Sequence, residues 1–279
     1  MAILVTGATG SVGRLVVDEL VARGVADVRA LTVNPDRAGL PAGVDVVKGY
    51  LGRPETLPAA LDGVDTVYLA PMPAKVKDFA EAARRAGVKR VVVLSGENAD
   101  AEARSPEEFW FYYACEHAVE TAGFDWTHLR PGVFMNNTLG WAEAIRADGV
   151  VRAPYGQAVQ TPIALADIAA VAAVALLEDG HVGEKYVLSG PEAITQIDQV
   201  RLIGEALGKP VEWEELSPDQ ARALWSSQGM LADVAEFLLE GFAQTLRDPQ
   251  APVTTVTDLT GRPGITFAEW AREHADRFA

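Results

Sequence analysis

Apolar runs and amphipathic stretches alternate through the first half of the chain. Strand-like runs fall at 2–5, 28–33, 44–48, 65–70, 89–95 and 125–130. Stretches with helical spacing fill the gaps at about 11–23, 54–61, 75–86 and 106–122; the first places Leu15, Val16, Leu20 and Val21 on one stripe. Several runs are continuous rather than alternating, as in Val91-Val92-Val93-Leu94. Such runs predict strands covered on both faces, the condition of a parallel sheet between helix layers. Gly24, Gly63, Gly87 and Gly123 fall between a helix and the next strand, where C-caps belong. The repeated βα rhythm predicts an α/β fold with a doubly wound parallel sheet.

After Arg130-Pro131-Gly132 the rhythm loosens. The pattern predicts a helix near 136–146, a loop through Pro154-Tyr155-Gly156, an alanine-rich helix at 166–177 and a strand at 185–188. Further helices are expected near 196–207, 218–246 and 266–277. No repeat or linker interrupts the chain. The expected division is a nucleotide-binding domain over 1–150 and a smaller α/β substrate-binding lobe over 151–279, interleaved with the sheet edge.

Composition narrows the partners. A net charge of −15 over 279 residues argues against nucleic acid and anionic membrane surfaces. No apolar run is long enough for a membrane span, and Met1-Ala2-Ile3-Leu4-Val5 lacks the basic start of a signal peptide, so a cytoplasmic protein is expected. The single cysteine, Cys115, excludes an intrachain disulfide and reads as a packed small residue. No His, Cys, Asp or Glu group has metal-ligand spacing, so no metal is expected. The partner left is a small molecule. The apolar positions Leu224-Trp225, Met230-Leu231 and Phe237-Leu238-Leu239 read as a lid or as a homodimer surface.

The chemistry begins at the first turn. The strand 2–5 runs into Thr6-Gly7-Ala8-Thr9-Gly10-Ser11-Val12-Gly13 and a helix follows. Glycines at 7, 10 and 13 let the backbone turn tightly and approach a ligand, while the helix start aims free N–H groups at an anion. Strand, glycine turn and helix in this order are the Rossmann signature for a dinucleotide pyrophosphate. In such sheets ligands sit outside the carboxyl ends of the strands. The candidate cofactor contacts are therefore Gly7, Thr9, Gly10, Ser11, Val12 and Gly13, then Asn34 and Arg37, Tyr50 and Leu51, Ala70, Pro71 and Met72, Ser95, and Gly132, Val133 and Phe134. No acid stands at the end of the second strand to hold a ribose 2′-hydroxyl, and Arg37 is the nearest base. NADP(H) is therefore slightly favoured over NAD(H).

Together with Val28-Arg29-Ala30-Leu31, Gly63-Val64-Asp65-Thr66-Val67, Trp126-Thr127-His128-Leu129-Arg130-Pro131-Gly132-Val133-Phe134-Met135-Asn136-Asn137 and the ending Leu259-Thr260-Gly261-Arg262-Pro263, the glycine turn resembles the NmrA-like branch of the atypical short-chain dehydrogenase/reductases. The resemblance covers nearly the whole chain. It implies NAD(P)H-dependent reduction of a planar aromatic or quinone-like substrate between sheet and lobe. The branch also contains non-catalytic dinucleotide sensors, and a non-redox enzyme in the same cleft is a third reading. Two positions depart from the pattern: Val33 stands where NADPH users often have arginine, and Tyr50 where an aspartate is usual. The superfamily's Tyr-x3-Lys pair becomes Tyr112…Glu116, a replacement expected to raise the phenol pKa. The resemblance implies Tyr112 as the catalytic tyrosine rather than Tyr113, with Ser95 and Glu116 beside it. Trp110, Phe134, Asn136, Trp141 and Tyr155 are the expected substrate contacts.

Overall fold

The computed structural model describes residues 2–104 and 111–279; Trp110 lies outside the described residues. Its strands are β1 (Ala2–Val5), β2 (Val28–Thr32), β3 (Asp45–Lys48), β4 (Val64–Leu69), β5 (Arg90–Leu94), β6 (Asp125–Pro131), β7 (Val150–Ala153), β8 (Val159–Gln160), β9 (Glu184–Leu188), β10 (Ile194–Thr195) and β11 (Glu212–Glu215). Its helices are α1 (Ser11–Ala22), α2 (Pro58–Leu61), α3 (Val76–Ala86), α4 (Ala99–Arg104), α5 (Tyr112–Thr121), α6 (Ala142–Ala147), α7 (Leu165–Leu177), α8 (Gln196–Leu207), α9 (Pro218–Ser227), α10 (Ala232–Arg247), α11 (Thr255–Thr260) and α12 (Phe267–Glu273).

The first unit comprises residues 1–132, 165–188 and 255–262. It holds a seven-stranded sheet of order β3-β2-β1-β4-β5-β6-β9, with every pairing parallel. The order reverses between β1 and β4, which makes this edge the switch point of a doubly wound sheet. α1 packs on α7, and α3 packs on α5. The continuous apolar strands are covered on both faces, and Val91, Val92 and Val93 are fully buried. α7 is almost wholly buried; its alanines let α1 approach closely. Asp167, in the first turn of α7, is completely buried and accepts a 2.7 Å bond from Arg262.

The second unit comprises 133–164, 189–254 and 263–279. Two small sheets, β10 with β8 (antiparallel) and β11 with β7 (parallel), join α6, α8, α9, α10 and α12. Met135, Ile145, Val151, Ile203, Phe267, Trp270 and Phe278 form its core.

The division is not the sequential split near residue 150. The chain returns to the first unit twice, because α7 supplies helix cover, β9 pairs in parallel with β6, and α11 packs on α7. The helix expected at 218–246 breaks into α9 and α10, and Gly229 in the left-handed region (φ +85°) marks the break. The stretch 54–61 likewise divides into a 3₁₀ turn and α2, each opening on a proline.

Candidate functional site

The glycine turn links β1 to α1. Thr6 Oγ1 donates to Tyr68 O at 3.1 Å and accepts from Ala70 N at 2.8 Å, tying the end of β1 to that of β4. Gly7 then turns with φ +59°, and Gly10 N closes onto Gly7 O at 2.8 Å. A Cβ on Gly7 would stand 2.8 Å from Ala70 Cβ, and one on Gly13 only 2.3 Å from Gly7 O. Both positions exclude a side chain. α1 opens on Gly10 with no side-chain cap and no acid in its first turn. Its leading amides therefore face outward with the positive end of the helix dipole. Thr9, Gly10 and Ser11 are exposed, whereas Val12 and Gly13 are buried and offer only backbone. This donor set fits a dinucleotide pyrophosphate: amides, a hydroxyl pair, no competing carboxylate, and no Cβ in the way.

The segment after β2 is fastened to α1. Arg14 donates to Gly39 O at 2.6 Å and to Ala38 O at 3.3 Å. Its place directly after Gly13 was the only sequence signal for this role. Val33 is 60% exposed, and Asn34 and Arg37 are exposed beside it. After β3 the Tyr50 ring lies over Gly52, where a Cβ would meet it at 2.4 Å. Leu51 does not face a ligand with its side chain; it is buried with Leu31 and Leu57 in the core behind the sheet. Ala70, Pro71 and Met72 are half-buried at the end of β4.

At the ends of β5 and β6 the structure brings Ser95, Tyr112 and Glu116 together. Tyr112, Glu116 and Glu120 share one face of α5 at helical spacing. The Tyr112 ring lies against Gly96, where a Cβ would meet it at 2.6 Å. Tyr113 turns elsewhere and stacks on His117, with ring centroids 5.5 Å apart. Glu116 is buried. Its Oε1 accepts from Ser95 Oγ at 2.5 Å and Arg130 Nε at 2.8 Å, and its Oε2 accepts from Arg130 Nη2 at 2.7 Å. Burial pushes the Glu116 pKa up, but the hydrogen bonds from Arg130 and Ser95 outweigh it and hold the carboxyl below the usual range.

This corrects the expectation for Tyr112. Its phenol is indeed held above its ordinary pKa, first by burial and then by the charge of Glu102. Glu116 is not among the causes; its carboxylate is paired with Arg130 instead. Arg130 and Glu102 were missed from sequence. An arginine inside an apolar strand run was a signal, since buried arginines need partners; Glu102 gave none.

One turn further along α5, Glu120 pairs with His128 at 3.1 Å and with Lys185 at 3.1 Å. Glu116, Glu120 and His128 lie close enough to surround a cation. The ammonium of Lys185 already supplies that charge, 3.9 Å from Glu116.

In the second unit, Phe134 is half-buried and pairs with Ile163, and Asn136 is half-buried in the turn that follows. Trp141 meets Trp213 edge to face at 6.2 Å. Tyr155 has φ +58°, a conformation disfavoured for a residue with a Cβ. It is held there from both sides: Glu215 accepts from the amides of Tyr155 (2.6 Å) and Gly156 (3.0 Å), and Gln196 Nε2 donates to Tyr155 O (3.0 Å). Gly132 belongs to the first unit, where a Cβ would strike the Glu97 carboxylate at 2.8 Å. Val133 begins the second unit and accepts from Ile163 N.

No described helix is long and apolar enough to cross a membrane. The model of the family described as NAD(P)H-binding matches residues 7–179. A (4-alkanoyl-5-oxo-2,5-dihydrofuran-3-yl)methyl phosphate reductase of Streptomyces griseus is 42% identical over 99% of both chains. An NAD(P)H azoreductase of Xenophilus azovorans is 36% identical, again over 99% of both. The NADPH complex of an Escherichia coli quinone oxidoreductase superposes with TM-score 0.83 at 28% identity, covering 97% of this chain and 99% of that one. The chain belongs to the NAD(P)H-binding family and is an NAD(P)H-dependent oxidoreductase.

Proposed function

We propose that the protein reduces an electron-poor conjugated bond in a planar small molecule, with NADP(H) as the preferred cofactor. The observation that carries the reading is the uncapped start of α1, cleared of side chains at Gly7 and Gly13. Relatives point to the acceptor chemistry. The furanone, azo and quinone compounds named for them share a conjugated double bond that takes a hydride at one end and a proton at the other. The bound cofactor would supply the hydride.

The chain's own residues do the rest. Gly7, Thr9, Gly10, Ser11, Val12 and Gly13 hold the pyrophosphate, and Arg37 takes the 2′-phosphate on a segment that Arg14 keeps in place. Tyr112, protonated at neutral pH, gives its proton to the reduced acceptor and regains one from water. Ser95 already donates its own hydrogen to Glu116, so toward a ligand it offers only lone pairs. Glu116 positions Ser95 and is no acid or base itself, since Arg130 holds it ionised. Phe134, Asn136, Trp141 and Tyr155 contact the acceptor.

Calorimetric titration with NADPH and NADH, followed by loss of nicotinamide absorbance with a quinone and an azo dye, tests the reading. Tighter binding of NADPH than NADH, and turnover with either acceptor, are expected. Failure of both nucleotides to bind at millimolar concentration would overturn it.

A further inference from the structure

Glu102, near the end of α4, is a buried acid that neither the glycine turn nor the Glu116 network uses. Its Oε2 accepts three backbone bonds at the start of α5: from Phe111 N at 3.1 Å, Tyr112 N at 2.7 Å and Tyr113 N at 2.8 Å. Its Oε1 accepts from Asn98 Nδ2 at 2.9 Å. Asn98 in turn lies beside Gly96, the glycine that receives the Tyr112 ring.

The opening amides of any helix lack partners within the helix. A Ser, Thr or Asp at the N-cap ordinarily satisfies one of them. Here the N-cap is Phe111, whose side chain cannot. The acceptor comes instead from the preceding helix, and it takes three amides at once. The Tyr112 backbone is thus bonded to Glu102 while its ring rests on Gly96, six residues earlier in the same segment. Backbone and ring are set by one stretch of chain that continues directly from β5.

We propose that Glu102 is the positioning residue of the site: its carboxylate clamps the opening amides of α5 and so holds the Tyr112 ring against the end of β5. The inference rests on the reading of Tyr112 as the proton donor. The charge of Glu102 has a second effect. Of the groups that bear on the Tyr112 phenol, Glu102 comes from α4 and Cys115 from its own helix, while Gly96 and Asn98 are uncharged. After burial, the Glu102 carboxylate is the largest influence keeping the phenol protonated.

Two variants separate aim from charge. Glu102→Gln keeps an acceptor and removes the charge; Glu102→Asp keeps the charge and shortens the reach. The phenol titration of Tyr112 is read as the difference in phenolate absorbance between each protein and its Tyr112→Phe counterpart, which needs no turnover. Glu102→Gln is expected to ionise Tyr112 at lower pH, and Glu102→Asp to leave it raised. Glu102→Asp, whose shorter reach loosens the clamp, is expected to lower kcat about 10- to 100-fold, the usual consequence of misplacing a reacting group, and Glu102→Gln to lower it less, with the Kd for NADPH unchanged in both. A Tyr112 titration identical in Glu102→Gln and wild type would overturn the proposal. So would a kcat within twofold of wild type in both variants, or a loss of NADPH affinity that accounts for the loss of rate. Full activity in Tyr112→Phe alone would instead sink the proton-donor reading and leave the clamp to be judged by the titration.

Discussion

Arg130 grips Glu116 through two parallel bonds, 2.8 and 2.7 Å long, with both side chains buried between α5 and β6. The pair stands one helical turn beyond Tyr112, where the superfamily pattern has a lysine. A lysine there would favour the phenolate. A lone glutamate would oppose it. A glutamate neutralised by arginine does neither, and leaves the phenol to its burial and to Glu102.

The same pair carries stability. Arg130→Met strands an ionised carboxylate beside Ser95 in the core, and breaking a buried pair from one side costs about 3–5 kcal/mol. Arg130→Met combined with Glu116→Gln removes both charges and should recover most of that loss. Urea unfolding midpoints of the single and double variants test this. A double variant no more stable than Arg130→Met would show that packing, not the stranded charge, dominates.

The centre of the sheet was legible because β1 and most of β5 are short apolar runs, a pattern that double cover explains, whereas the more polar β3 and β9 rested on the βα rhythm alone. The glycine turn was legible because each glycine has a steric reason at a fixed offset. Other features were not legible. β7 and β11 were missed because Glu212-Trp213-Glu214-Glu215 has neither the alternation nor the apolar run of a strand; parallel pairing with Val150–Ala153 makes it one. The partners of Glu116 were missed because Arg130 reaches it from β6 and Ser95 from just beyond β5, 14 and 21 residues away. Periodicity reports which face is buried, not which charges meet there.

Gly13 is the sharpest test of the cradle. Its missing Cβ would overlap Gly7 O at 2.3 Å, a backbone atom that cannot swing aside. Gly13→Ala must push α1 away from the turn and misalign the outward amides. NADPH affinity is expected to fall at least tenfold, about 1.4 kcal/mol. Gly10→Ala, at 3.1 Å and with ordinary φ, should lose less. Titration by nicotinamide fluorescence ranks the two; equal affinities would move the pyrophosphate away from this turn.

His128 links acid stability to the network. Burial lowers its pKa from 6.5 to about 4, although Glu116 and Glu120 pull the other way. The folded value is depressed, so its contribution is complete above pH 6.5. It is lost as the pH falls toward 4, because only the unfolded chain takes up the proton. The window is worth about 3 kcal/mol. His128→Leu should flatten the dependence of the urea midpoint on pH between those values. An unchanged slope would place the linkage on another group.

Tyr112 makes the chemical prediction. It lies on Gly96 at the strand end, whereas Tyr113 stacks on His117. Tyr112→Phe is expected to lower kcat about 100-fold, the lower end of what a positioned acid contributes, with NADPH affinity intact. Tyr113→Phe should stay within twofold. The phenol pKa is raised above 10, so the active form is the protonated one throughout the neutral range. Rate should therefore be level from neutral into mild alkali and fall only as the phenol ionises. A catalytic tyrosinate would behave in the opposite way, with rate climbing as pH rises toward its pKa. The pH dependence of kcat/KM decides between them: a rising alkaline limb would mean that the phenolate is the working species and that the neutralised Glu116 does not set the chemistry of this site.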